Sequence, residues 1–269
     1  MVRRKRNDQG FTVLEILVAA AIGSMILLGL YVLLESGHNT SSRGQQKLDI
    51  QQAARAGLDT MVRDLRMAGS GVPNPLDYTN PPAAFTGGTV DSISFLADPL
   101  NANTVLTANA SSGSTMISVN STASFSPGGT VYIFGNDGGS PPINHWETAV
   151  IAIGGVAANS LTLTAGLSQT YVAGSQIAQP RTYTYDLAGT TLRRDAGDGN
   201  GPQPLAENIS VLTIRYYDTA DAEISAASVP AQLSDIRRLE IQITAFKGGG
   251  PLQGNQTFRL DSSVRPRNI

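Results

Sequence analysis

Glu15 is the only formally charged residue in the apolar run of residues 11–34, FTVLEILVAAAIGSMILLGLYVLL. A carboxylate at the centre of such a segment costs roughly 2.5–3.5 kcal/mol on insertion scales, and less near the interface, so it needs a partner or a task. A partner arises if the chain is cut between Gly10 and Phe11. The new positive amine on Phe11 then stands about one helical turn before Glu15. Between staggered helices of an assembly, the amine of one subunit can instead meet the carboxylate of its neighbour. Either arrangement neutralises a buried charge, and the second also sets axial register.

Other residue types able to do chemistry are sparse. There is no cysteine, which excludes disulfides, thiolate metal sites and cysteine nucleophiles. His38 sits in a polar stretch just past the apolar run, where a solvated histidine is the simplest reading. His145 lies in an Asn-His-Trp-Glu run that reads as a surface loop pair. No nucleophile elbow, zinc-binding helix or phosphate loop occurs, and no enzymatic activity is expected. Asp195-Ala-Gly-Asp198-Gly-Asn200-Gly201 is the best candidate for a cation, ahead of Asn136-Asp137-Gly138-Gly139, which reads as a turn. Oxygen side chains spaced by glycine can wrap calcium, with Asp195, Asp198 and Asn200 as ligands. The run lacks EF-hand spacing and a downstream glutamate, and hairpin-turn chemistry explains the same letters.

The elements that must position Glu15 are legible around it. Twenty-four helical residues span about 36 Å, enough to cross a bilayer's hydrocarbon core. Arg3, Arg4, Lys5 and Arg6 precede the run, so the N-terminus is expected in the cytoplasm and the rest outside. A secretory signal would carry its small residue after the apolar stretch, whereas here Gly10 comes before it. A plain signal anchor is the alternative reading.

Gly10-Phe11-Thr12-Val13-Leu14-Glu15, with the basic leader and the long apolar run, resembles the signal of type IV prepilins and type II secretion pseudopilins. The resemblance implies that a prepilin peptidase cuts after Gly10 and methylates the new terminus at Phe11. It also implies that Glu15 guides subunit docking. Residues 1–10 would be the leader peptide and 11–35 the transmembrane and filament-core helix.

Residues 35–44 (ESGHNTSSRG) are polar and poor in helix formers, and a flexible or kinked stretch is expected there. Ala54, Leu58, Met61, Val62, Leu65 and Ala68 then recur at helical spacing, and Gly69, Gly71 and Pro73 read as a stop. Beyond Pro75 short apolar or β-branched runs alternate with turn residues. Strands are expected near 90–97, 115–119, 130–134, 148–153, 161–164, 182–187, 209–218, 236–246 and 256–260. Leu239, Ile241, Ile243 and Ala245 alternate with polar residues, the pattern of a half-buried antiparallel strand. Leu212, Ile214 and Tyr216 give its neighbour a similar face.

The expected fold class is therefore α+β: a pilin-like fold with a long hydrophobic, then amphipathic, N-terminal helix packed on antiparallel sheet, carrying an all-β insertion. Residues 36–100 would hold the amphipathic helix and the start of the body. Residues 101–179, rich in Ser, Thr, Asn, Gly and Ala, would be the inserted module, and 180–269 the C-terminal sheet. Residues 53–69 and the stretch from Arg181 to the final VRPRN resemble PilW-type minor pilins, a branch related to J-type pseudopilins.

That resemblance implies a minor pilin that primes a type IV pilus and sits at its tip. A minor pseudopilin of type II secretion is the alternative, as is a membrane-anchored adhesin that binds through the central module. Implied partners are prepilin peptidase, other minor pilins and the major pilin, the inner-membrane assembly platform, and membrane lipid. The implied location is the inner membrane by a single pass, with the body in the periplasm, and then a filament at the cell surface. Without the four basic residues and one acidic residue of the first ten, the 19 basic and 21 acidic residues become 15 and 20, a net of −5. Such a body offers nucleic acid no basic face.

Overall fold

The computed structural model describes residues 12–74, 77–248 and 256–269. Gly10 and Phe11 lie outside the described residues, so the expected cleavage point does too. The first element, α1, runs unbroken over Val13–Leu65. The large apolar side chains between Val13 and Leu34 are all exposed, and by length and composition this helix can cross a membrane.

The expected flexible or kinked stretch at 35–44 is instead helical. Gly37 and Gly44 each cost about 1 kcal/mol against alanine. Once a helix is nucleated on both sides, however, each further residue adds a hydrogen bond. Thr40 Oγ1 donates back to the Ser36 carbonyl at 2.8 Å, a bond that costs a helix slightly but leaves this one continuous.

From Ile50 onward α1 is a packed element. Ile50, Ala54, Leu58, Met61, Val62 and Leu65 form a buried stripe, and Ala68 continues it past the helix end. Burying one of the larger side chains contributes about 2 kcal/mol. The helix closes at Leu65, four residues before the glycine stop. Gly69 and Gly71, at φ +84° and +78°, carry the turns that follow.

The strands, in chain order, are β1 (Phe85–Gly88), β2 (Ser92–Ala97), β3 (Asn103–Val105), β4 (Met116–Ser118), β5 (Thr130–Asn136), β6 (Asn144–Ala157), β7 (Ser160–Leu163) and β8 (Gln176–Ala178). Then come β9 (Arg181–Ala188), β10 (Thr191–Asp195), β11 (Gln203–Ala206), β12 (Ile209–Tyr217), β13 (Glu223–Ile224), β14 (Arg238–Lys247) and β15 (Gln256–Val264). They form three sheets: β1-β2-β9-β10-β11, β13-β12-β14-β15 and β3-β8-β5-β6-β7-β4. All the pairings are antiparallel, so the α+β architecture with one long N-terminal helix is as expected.

The first two sheets share one core with α1. Leu239, Ile241, Ile243 and Ala245 of β14 are buried, as are Leu212, Ile214 and Tyr216 of β12. Tyr216 joins the two sheets, its hydroxyl lying 2.7 Å from the Thr89 carbonyl and 3.0 Å from that of Ser92. Gly57 lets the helix approach closely: a Cβ there would stand 3.1 Å from Ala206 and from Leu192.

The third sheet has its own core, made of Leu106, Ile117, Val131, Ile133, Ile151, Leu161, Ile177 and their neighbours. Its two ends meet. Leu106 bridges Val119, and Thr107 N–H donates to Ser118 O while Asn120 N–H donates to Val105 O, both at 3.0 Å. The six strands thus close into a small barrel whose interior is filled by side chains.

Candidate functional site

Thr12 and Glu15 build the start of α1 together. The backbone N–H and hydroxyl of Thr12 donate to Glu15 Oε2 at 3.0 and 3.1 Å, and the Glu15 N–H donates back to Thr12 Oγ1 at 3.3 Å. This reciprocal arrangement is a capping box, which satisfies helix N–H groups that have no intrahelical partner. The carboxylate also lies where the helix dipole favours negative charge. Thr12 is a residue the electrostatic argument passed over. The Thr-x-x-Glu spacing is the signal that could have found it.

The other candidates fall elsewhere. Asp195 ends β10, and Asp195 to Gly201 form the hairpin loop into β11. Asp195 Oδ1 accepts from the Gly197 N–H at 2.9 Å. Asp198 accepts from the backbone and side-chain nitrogens of Asn200, each at 3.0 Å. These bonds hold the Asp198 carboxyl below the usual carboxylate range. The structure brings Asp195, Asp198 and Asn200 together as turn formers, with carboxylate oxygens of Asp195 and Asp198 engaged with their own loop. Among the described residues no group of three His, Asp or Glu is placed to hold a metal ion.

His38 lies on the exposed, polar part of α1. His145 Nε2 is 3.7 Å from Asp137 Oδ2. Asp137 also caps its loop, accepting from the N–H groups of Gly139 and Ile143 at 2.9 and 3.0 Å. The residues flanking His145 serve as a clasp. Trp146 Nε1 donates to the Thr79 carbonyl and Asn144 Nδ2 to the Asp77 carbonyl, both at 3.0 Å, which ties the barrel to the loop after α1. Tyr78 meets Phe134 edge-on at 5.8 Å between ring centres.

A second residue that sequence reasoning missed is Asp64, only 2% exposed in the last turns of α1. Its Oδ2 accepts from the Tyr185 hydroxyl and from Arg194 Nε. Arg194 also lies over the Tyr183 ring, 5.0 Å from its centre. Burial pushes the Tyr185 hydroxyl well above its ordinary pKa, with the Asp64 carboxylate adding to the shift.

The geometry thus offers one site with an evident task, the capped, apolar start of α1. The family description "prokaryotic N-terminal methylation motif" matches residues 5–31, which include Lys5 and Arg6 of the basic leader, Gly10, Phe11, Thr12 and Glu15. Comparison with curated proteins and with solved structures gives no match. The motif and the apolar helix fit a membrane-anchored pilin that is processed by a prepilin peptidase and assembles with other pilins. By residues 5–31, the chain carries the prepilin-type N-terminal methylation motif.

Proposed function

We propose that the protein is a minor pilin of the PilW type, which primes assembly of a type IV pilus and occupies its tip. The observation that carries this reading is the methylation motif at residues 5–31 on an apolar helix whose first turn holds Glu15. In this reading Gly10 precedes the cut, Phe11 becomes the methylated terminus, and Glu15 docks the subunit against its neighbours. The role is structural rather than catalytic. A body bearing an additional barrel suits a tip better than a repeating shaft, where its bulk would clash between neighbours.

The mass of the N-terminal peptide, read after expression with a prepilin peptidase, tests the class. A chain beginning at methylated Phe11 supports it, and a chain beginning at Met1 returns the plain signal anchor. Label confined to filament ends supports the tip, and label spread evenly along the shaft rejects it. The barrel's separate core favours a second reading, an adhesin that binds through this module. Deleting residues 101–179 would then abolish attachment and spare piliation. A minor pseudopilin of type II secretion is separated by asking which of the two machines requires the gene.

A further inference from the structure

We infer that β15 is an interface between two copies of this chain, which pair edge to edge and antiparallel about Leu260. A sheet edge presents a row of unpaired N–H and C=O groups, and proteins normally blunt it by shortening, bulging or proline. The other edges of the two body sheets are blunted in these ways. β1 has four residues with a register shift between Phe85 and Gly87. β11 has four residues, includes Pro204, and pairs with a shift between Leu192 and Arg193. β13 has two residues. In the barrel, the two end strands of the sheet bond each other.

β15 is different. It has nine residues, QTFRLDSSV, with no proline, glycine or lysine. It pairs with β14 from Leu239↔Val264 to Lys247↔Gln256 without a shift. Among the described residues no group bonds its outer N–H and C=O row. Thr257, Arg259, Asp261 and Ser263 are exposed on one face. On the other face Phe258 and Leu260 are only half-buried, and Leu260 packs against the main core.

Another extended backbone completes such an edge, as in strand addition. The order of side chains along β15 makes a second β15 the matching strand. Two equal strands form an isologous pair, in which residue i meets j and j meets i. Centred on Leu260, the pair sets Arg259 against Asp261 twice and Thr257 against Ser263 twice. Opposite charges and hydroxyl pairs directly across strands stabilise a sheet, whereas like charges there destabilise it. Moving the centre one residue either way sets Arg259 against Arg259 or Asp261 against Asp261. Arg259 already bonds Asp261 within the strand at 3.2 and 3.3 Å, so two neutral pairs would join as one square of alternating charge. The same register lays Leu260 against its own counterpart with each Phe258 on the diagonal, which covers the half-buried face with apolar groups. The contact involves only the sheet β13-β12-β14-β15 of each copy and stands apart from the assembly reading above.

The absence of cysteine makes the test clean. One full-length chain carries Thr257→Cys and another Ser263→Cys, both at exposed positions, and the two are co-expressed in one membrane. Directly opposed residues have Cα atoms about 4.5–5.5 Å apart, within reach of a disulfide. Mild oxidation should give a mixed disulfide several-fold above either chain alone. It should also exceed that of a control pair, Thr86→Cys on β1 with Ser263→Cys. Arg259→Asp in both chains should reduce it to the control level. Arg259→Asp in one chain with Asp261→Arg in the other should restore it, which also shows that the altered chains are folded. A mixed disulfide no stronger than the control, or one indifferent to Arg259→Asp in both chains, overturns the pairing. So does a photoactivatable maleimide on the Ser263→Cys chain that marks only a different protein or lipid.

Discussion

The Tyr185 hydroxyl donates to Asp64 at 2.6 Å and thereby ties the last turns of α1 to β9, with Arg194 of β10 completing the cluster at 2.7 Å. An acidic residue near a helix C-terminus opposes the helix dipole. Asp64 is buried, and its charge is held mainly by these two partners, with the exposed Arg63 Nε more distant at 3.9 Å from Oδ1. Asp64→Ala should destabilise the protein in detergent by about 3 kcal/mol, because it leaves Arg194 uncompensated. Replacing the cluster together, Asp64→Leu with Arg194→Met and Tyr185→Phe, should recover most of that loss in chemical denaturation. Failure to recover it would mean that the cluster does more than hold two elements together.

The capping box makes a separate claim about Thr12. Thr12→Ala removes the side-chain acceptor and should cost the helix start about 1 kcal/mol, whereas Thr12→Ser should keep it. Hydrogen exchange of the first-turn amides in micelles distinguishes the two, with faster exchange for alanine alone. If Glu15 docks subunits, Glu15→Ala should leave N-terminal processing intact while the subunit disappears from purified filaments.

Trp146 and Asn144 predict how the barrel is held. Trp146→Phe keeps the ring and deletes the donor to Thr79, a loss of about 1 kcal/mol. Limited proteolysis should then cut the loop around Asp77 to Asn80 faster, while the interior of the barrel stays protected. Unchanged cleavage would show that the Tyr78–Phe134 contact suffices.

Acid should weaken the outer face of the sheet that contains β14. Asp221 is held below its ordinary value of 3.8 by Arg238, Glu240 below 4.5 by Tyr217 and then Arg238, and Asp261 below 3.8 by Arg259 and Gln242. Depressed folded values mean that the stabilisation is complete above the ordinary values and is lost as pH falls through the folded ones. All three are solvent-screened, so the effect is small. Arg238→Ala should flatten the fall in Tm below about pH 4, the ordinary carboxylate range. An unchanged slope would assign acid sensitivity to other groups.

Calcium at millimolar concentration, the range of weak extracellular sites, should leave Tm unchanged. Asp195 and Asp198 already spend oxygens on the turn they build. A rise in Tm that is lost in Asp198→Ala would instead show the loop opening to take the ion.

Much of this molecule is local enough to read from the chain. The apolar run with one carboxylate follows from hydropathy alone. So does the stripe from Ala54 to Ala68, since helical period puts those side chains on one face. The alternation in β14 predicts its burial because strand period leaves no other choice. Asp195 to Gly201 form a hairpin because glycine and short polar side chains bend the chain wherever they occur together.

The remainder depended on partners distant in sequence. Continuity of α1 through residues 35–44 was set by helix on both sides and not by the propensity of the stretch. β1, β3, β8, β10, β11 and β13 were missed as strands because each is short and acquires its conformation from its neighbours. Asp64 carries no local sign that Tyr185 and Arg194, more than a hundred residues away, will surround it. Closure of the barrel and the free edge of β15 are properties of strand order. Sequence alone determined the N-terminal signal and the periodic faces, which are one-dimensional patterns. Which edges are paired and which buried charge is compensated were decided only when the chain was folded, because backbone hydrogen bonds between strands carry no residue code.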